Sequence, residues 1–171
     1  MKNIYYFDYL KHNDYKLVVV VGDKGLCFVD FIKHNNEWGY FKKWLKSPHQ
    51  TITLKQDSTK TNIYIKALNN YFQNITPLHN FKFDLQGTPF QIKVWQTLLT
   101  IKHGQIITYQ DLATLLNKPQ ATRAVANAVA RNPIVLFIPC HRVVSKNNDV
   151  KYRAGPDIKL KLINLEKNEG S

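Results

Sequence analysis

Read for apolar periodicity, the chain divides into a strand-rich first half and a helix-rich second half. Residues 5–7, 17–21 and 26–32 are apolar runs of strand length. The cluster Gly22-Asp23-Lys24-Gly25 between the second and third predicts a hairpin. Helical spacing follows over residues 35–45 and 58–75; in the latter, Ile63, Ile65, Leu68, Tyr71 and Phe72 form a rough apolar stripe. Residues 76–90 hold Pro77, Gly87 and Pro89 around a strand candidate at 81–85, the composition of a linker.

Beyond the linker, residues 90–100 carry Phe90, Val94, Trp95, Leu98 and Leu99 at helical spacing. Thr108 with Asp111 three residues on is a capping-box pattern that starts a helix running to Leu116. Asn117-Lys118-Pro119 breaks it, and a second helix spans residues 120–131 before Asn132-Pro133. Helix, short turn, helix is the outline of a helix-turn-helix, although any helical hairpin shares it. The second helix is unusual in carrying Ala121, Ala124, Ala126, Ala128 and Ala130. Ala121, Ala124, Val125 and Ala128 fall on one face. Such a face suits close helix packing; it also suits a minor groove only about 6 Å wide, which admits alanine and refuses larger side chains. Arg123 is the charged residue inside this helix, either solvated or placed to push between bases. Residues 134–138 are continuously apolar and read as a buried strand that ends at Pro139.

Composition adds a partner. Lys and Arg number 24 against 12 Asp and Glu, a net charge of +12 that points to a polyanion, most often nucleic acid. The excess is +5 over residues 1–86 and +7 over residues 87–171, so charge alone does not say which half meets the partner. No apolar run reaches the length of a membrane span, and the first residues lack the pattern of a secretory signal. A cytoplasmic protein with no membrane partner is expected. There the two cysteines, Cys27 and Cys140, are expected to stay reduced. Cys27 lies in an apolar run and reads as core. With no Cys-x-x-Cys pair and six scattered His, no metal and no cofactor are expected.

Cys140 sits between Pro139 and His141. A thiol becomes a strong nucleophile only as thiolate, which a neighbouring base or positive charge promotes. Cys next to His alone reads as a buried, inert thiol. The full run Ile138-Pro139-Cys140-His141-Arg142-Val143-Val144 goes further: it resembles the active-site signature of the O6-alkylguanine-DNA alkyltransferases. Gly87-Thr88-Pro89-Phe90-Gln91 with Val94-Trp95-Gln96 resembles the opening of that family's C-terminal domain. Gly104-Gln105-Ile106-Ile107-Thr108-Tyr109 resembles the approach to its helix-turn-helix. Ala121-Thr122-Arg123-Ala124-Val125 and Arg131-Asn132-Pro133 resemble its recognition helix and the following turn. The resemblance runs from Gly87 to about Glu169; the first half is only compatible with the family's variable N-terminal domain.

The resemblance implies an α+β fold of two domains. Residues 1–80 would be a ribonuclease-H-like sheet with helices, and residues 81–171 a mostly helical DNA-binding domain with a helix-turn-helix. It implies repair of double-stranded DNA containing alkylated guanine, approached as a monomer through the minor groove. The alkyl group of O6-alkylguanine, and of O4-alkylthymine, would pass once and irreversibly to Cys140. His141 would draw off the thiol proton through a water, with Glu166 orienting it. Arg123 would fill the gap left by the flipped nucleotide, and Tyr109 would press on the adjoining phosphate and help rotate the nucleotide out. Ala121, Ala124 and Ala128 would face the groove. Asn132 would tie the helix-turn-helix to the active-site loop. The Val143 backbone, Tyr152 and the Arg153 backbone would line the guanine pocket. Base extrusion costs a few kcal/mol and is what exposes a buried O6.

Two departures bear on the pocket. Arg153-Ala154-Gly155-Pro156 replaces the family's usual Gly-Gly pair and apolar residue, so a stiffer loop is expected. Val135 stands where some relatives carry proline, which bears on bulky substrates. Three rivals remain at this level. A non-catalytic binder of alkylated DNA is disfavoured by the retained Cys140. A sequence-reading regulator would have to use Gln120, Thr122, Arg123 and Asn127. A cysteine hydrolase lacks a legible oxyanion-hole motif.

Overall fold

The structure, a computed structural model, describes residues 3–33, 37–45, 51–147 and 150–168. The fold is α+β, and its contacts divide the chain into two compact units, Met1–Gln86 and Gly87–Ser171.

The first unit is built on a four-stranded mixed sheet. Its strands are β1 (Asn3–His12), β2 (Tyr15–Gly22), β3 (Gly25–Phe31) and β4 (Ile52–Gln56), in the order β3-β2-β1-β4. The expected hairpin is present: β2 and β3 pair antiparallel, closed by Gly22 opposite Gly25. β1 is longer than its apolar core suggests, because it pairs with β2 along nearly its whole length and turns into it at Asn13. β4 was not expected. It is a half-exposed edge strand that pairs parallel with β1 across a long connection, so neither alternation nor a local turn announces it.

Leu17, Val18, Val19 and Val20 of β2 are all fully buried, because both faces of the sheet are covered. Val18 and Val20 join Tyr5, Phe28, Phe41 and Trp44 in one cluster, the last two from α1 (Glu37–Trp44). On the opposite face lies α2 (Ser58–Phe72), whose Phe72 ring reaches Tyr15 at 5.6 Å. Asp57 caps α2 by accepting from the Thr59 and Lys60 amides. The buried face of α2 is Thr61, Tyr64, Leu68, Tyr71 and Phe72; Ile63, expected on it, is exposed, and the helix ends before Ile75. Residues 35 and 36 of the helix expected over 35–45 lie outside the described residues. The strand candidate at 81–85 does pair, through Leu26 N to Lys82 O (3.1 Å) and Asp84 N to Leu26 O (2.9 Å). These bonds hold residues 82–84 to β3, so the division falls after Gln86 rather than at residue 80.

The second unit is mainly helical. α3 (Pro89–Leu98) starts with a capping box between Thr88 and Gln91. β5 (Ile107–Thr108) leads into α4 (Tyr109–Leu115), where the expected Thr108–Asp111 box is formed in both directions. A 3-10 turn at Pro119–Ala121 precedes α5 (Thr122–Ala130). β6 (Val143–Val144) pairs parallel with β5, and α6 (Pro156–Lys167) closes the unit. Trp95 joins α3 to α5 by donating from Nε1 to the Ala128 carbonyl at 2.9 Å. Among the described residues no helix is long and apolar enough to cross a membrane.

Candidate active site

The segment leading to the cysteine is not the strand expected over residues 134–138. It is a buried knot of turns. Leu136 takes φ +71, a γ-turn closed by Phe137 N to Val135 O at 3.0 Å, and Ile138 N donates to Ile134 O at 3.0 Å. An apolar run reports burial, not conformation; the bridge formed here joins Val135 to Ile138, within the run itself. Asn132, fully buried, supplies the missing partners. It donates from Nδ2 to Ile138 O (2.8 Å) and accepts from Ile134 N (2.9 Å). The end of α5 and the cysteine segment are thereby joined.

Cys140 opens a short 3-10 turn, Cys140–Arg142, and is 5% exposed. Burial pushes its thiol up, since a thiolate loses hydration there. Hydrogen bonding to Asn132, the charges of Arg153 and Lys159, and hydrogen bonding to Tyr152 all act in the opposite direction. The sulfur is enclosed but sits among polar and cationic groups. Cys27 is the contrast: fully buried in the first unit, it donates to Val20 O at 3.2 Å and is held as a thiol by burial and by Asp84.

His141, fully buried, binds Glu166 of α6, Nε2 to Oε1 at 2.6 Å. Arg142 grips the same carboxylate as a fork, Nε to Oε2 at 2.8 Å and Nη2 to Oε1 at 3.0 Å, and sends Nη1 to Ile101 O at 2.7 Å. Gly104, with φ +75, brings its amide to Glu166 Oε2 at 3.2 Å. Burial opposes a charge on Glu166, but the bonds from His141 and Arg142 outweigh it and hold the carboxyl well below its usual range. An ionised carboxylate only accepts, so His141 Nε2 carries the proton. Burial pushes His141 down despite Glu166, so the ring is neutral and its Nδ1 keeps a lone pair. A neutral imidazole oriented by a carboxylate is the arrangement of a general base.

Lys159 of α6 is a site residue that sequence reasoning missed. It is 1% exposed, donates from Nζ to Val143 O (2.5 Å) and Lys151 O (3.2 Å), and lies 5.9 Å from both the Tyr109 and Tyr152 ring centroids. It thus fixes the Val143 carbonyl and lies near Tyr109 and Tyr152, two of the expected site residues. Burial pulls its basicity down and the neighbouring Cys140 pulls it up. Lys159→Met keeps the apolar stem and removes the charge. It is expected to slow reaction of the Cys140 thiol about tenfold, the effect of losing roughly 1.4 kcal/mol of thiolate support; single-turnover rates beside a melting curve separate this from unfolding.

Arg153 contributes its side chain rather than its backbone alone. The guanidinium donates to Ala130 O (3.2 Å) and Asn132 O (2.9 Å), holding the C-terminus of α5. The altered loop is accommodated simply: Gly155 takes φ +112 and Pro156 occupies the first turn of α6. Val135 is buried within the turn.

On α5, Arg123 and Ala124 are exposed; Ala121, in the 3-10 turn before it, is half-buried. Ala128 is not on that surface. It is buried with Val125 on the face toward α3, where its carbonyl accepts from Trp95. The alanines therefore serve two purposes, some permitting close helix packing and some leaving the outer face smooth. Gln110 ties α4 to this helix, donating to Pro119 O (3.0 Å) and accepting from Thr122 Oγ1 (2.8 Å). Among the described residues no group of three or more His, Cys, Asp or Glu is placed to hold a metal ion.

Comparison with known proteins decides what this geometry belongs to. Residues 89–168 match the family described as 6-O-methylguanine DNA methyltransferase, DNA binding domain. The inducible methylated-DNA–protein-cysteine methyltransferase of Bacillus subtilis is 32% identical over 167 residues, covering 97% of this chain and 92% of the relative. The chain belongs to the methylated-DNA–protein-cysteine methyltransferase family. Among solved structures, the O6-methylguanine methyltransferase of Mycobacterium tuberculosis superposes with a TM-score of 0.81 at 28% identity, over 96% of this chain and 93% of that one. The Mycobacterium tuberculosis OGT in complex with DNA superposes with a TM-score of 0.78 over the same shares, also at 28% identity. The α+β fold is thus that of the family over nearly the whole chain, the first unit included.

Proposed function

We propose that this methyltransferase repairs DNA by taking the alkyl group from O6-alkylguanine, and from O4-alkylthymine, onto Cys140. One observation carries the assignment of residues: an enclosed thiol ringed by Asn132, Tyr152, Arg153 and Lys159 directly precedes a histidine bound to an ionised carboxylate. His141 takes the thiol proton through a water. The Cys140 sulfur pair forms a bond to the alkyl carbon, the carbon–O6 bond breaks, and its electron pair stays on the guanine, which gains a proton by way of Tyr109. The thioether is stable and the site holds no group to cleave it, so each molecule reacts once.

In this reading α4 and α5 act as a helix-turn-helix in the minor groove, with Arg123, Ala121 and Ala124 toward DNA. Arg123 occupies the space of the flipped nucleotide. Val143, Tyr152, Arg153 and Val135 shape the base pocket. The protein acts as a monomer in the cytoplasm, where a thiol stays reduced. The decisive assay is methyl loss from an O6-methylguanine duplex against protein added. The expected plateau is one methyl per protein molecule; continued turnover would contradict the scheme. Arg123→Ala is expected to slow repair of duplex about 10–100-fold, in line with an extrusion cost of a few kcal/mol. It should leave reaction with free O6-alkylguanine base unchanged, since a free base has no stack to leave; paired rate measurements on the two substrates check this.

A further inference from the structure

The start of α5 has no cap of its own. Neither Lys118, ahead of the 3-10 turn, nor Ala121, ahead of α5, places a side chain on the amides that follow. A side chain of α4 holds this corner instead. Gln110 donates from Nε2 to Pro119 O at 3.0 Å and accepts at Oε1 from Thr122 Oγ1 at 2.8 Å. The amide has one workable orientation. Pro119 O only accepts, so the Gln110 nitrogen faces it and the oxygen is left for the hydroxyl. Thr122 Oγ1 also lies 3.3 Å from Pro119 O, but a hydroxyl has one proton and the nearer acceptor is Gln110. Both side chains are half-buried, so water competes less for these bonds than it would on open surface. We propose that Gln110 and Thr122 are positioning residues, whose hydrogen bond sets the first turn of α5 against α4 and so places Arg123 relative to Tyr109 for base extrusion.

The place of this bond in the chain carries the argument. Gln110 directly follows Tyr109, and Thr122 directly precedes Arg123. The bond therefore joins the immediate neighbours of the two residues assigned to the extruded nucleotide. Leu112 and Ala113 of α4 and Val125 of α5 are buried where these helices pack, but apolar contact is not directional. A hydrogen bond is directional, and one between the ends of the two helices fixes their register. Arg123 is exposed and long, so it reaches a gap in the base stack most readily from a backbone already in place. Neither Gln110 nor Thr122 has to touch DNA for this. Their contribution passes through Arg123, which distinguishes it from a direct contact to phosphate or base.

The inference rests on the assignment of Arg123 to the space of the flipped nucleotide, and one experiment separates the two. The full chain, Thr122→Val, Thr122→Ser, Arg123→Ala and the double variant Thr122→Val with Arg123→Ala are compared. Three quantities are measured: single-turnover methyl transfer at saturating O6-methylguanine duplex, affinity for that duplex, and reaction with free O6-methylguanine base. Thr122→Val should slow duplex transfer about three- to tenfold, the fold-change that one net hydrogen bond supplies. Its duplex affinity should stay within about twofold of wild type, because no DNA contact is removed. Its reaction with free base should match the wild type. Thr122→Ser keeps the hydroxyl and should restore duplex transfer to within about twofold. In the double variant the Thr122→Val change should add nothing to the loss from Arg123→Ala, since coupled residues are not additive. Wild-type duplex transfer in Thr122→Val, a loss confined to affinity, an equal loss on duplex and free base, or additive losses would overturn the proposal and leave the role of Arg123 standing. Wild-type duplex transfer in Arg123→Ala would overturn both.

Discussion

Cys140→Ser is expected to bind O6-methylguanine duplex about as well as the wild type and to remove none of its methyl groups. The exchange alters one atom, so the turn at Pro139, the Asn132 clasp and the exposed face of α5 are kept. The chemistry is not kept. A thiol ionises near pH 8.5 and a serine hydroxyl does not ionise in any usable range, so the groups that support a thiolate have nothing to act on. The loss should be about four orders of magnitude or more, the size seen when a nucleophile is deleted from a catalytic unit. Nucleoside analysis of the duplex reads the methyl; fluorescence anisotropy reads the binding. Methyl loss in this variant would remove Cys140 from the reaction.

Glu166→Ala should strongly destabilise the second unit. It leaves the Arg142 guanidinium buried with two of its bonds gone, strips His141 of its partner, and frees the Gly104 amide. Breaking a buried ion pair from one side costs about 3–5 kcal/mol. For a unit of this size that lowers the melting temperature by roughly 12–40 °C. Glu166→Gln keeps the shape and part of the bonding, and should cost less. The pH dependence has a definite sign. The carboxyl is held below its unfolded value, so its stabilisation is complete above about pH 5 and is lost as pH falls through the folded value. Wild-type melting temperature should therefore decline on acidification below about pH 5, and Glu166→Gln should decline less steeply. Equal slopes for the two proteins would show that the carboxylate is not held ionised.

What could be read in advance was local. The Thr108–Asp111 box and the Gly22–Gly25 hairpin depend on residues a few positions apart, and both are formed. The run around Cys140 was legible because its residue types are specific together, although not separately. Partners distant in sequence were not legible. Lys159 sits in a helix that also carries Lys161 and Lys167, and nothing in the sequence sets it apart from them; only tertiary placement reveals that its ammonium reaches Val143. β4 escaped notice because its partner strand lies some fifty positions earlier and its own residues are half polar. The apolar run at residues 134–138 was correctly buried but wrongly extended, and the alanines of α5 could not be assigned to core or surface without knowing where Trp95 lies. Arg153 was expected to act through its backbone, yet its side chain reaches Ala130 and Asn132.

The central claim is that one sulfur, enclosed but not isolated from polar help, keeps the alkyl group it removes. Peptide mass mapping after exposure of the protein to excess O6-methylguanine duplex tests this most directly. One methyl on the peptide bearing Cys140, at full stoichiometry and with Cys27 unmodified, is the predicted result. A methyl on any other residue, or methyl lost from DNA with none retained by the protein, would contradict it.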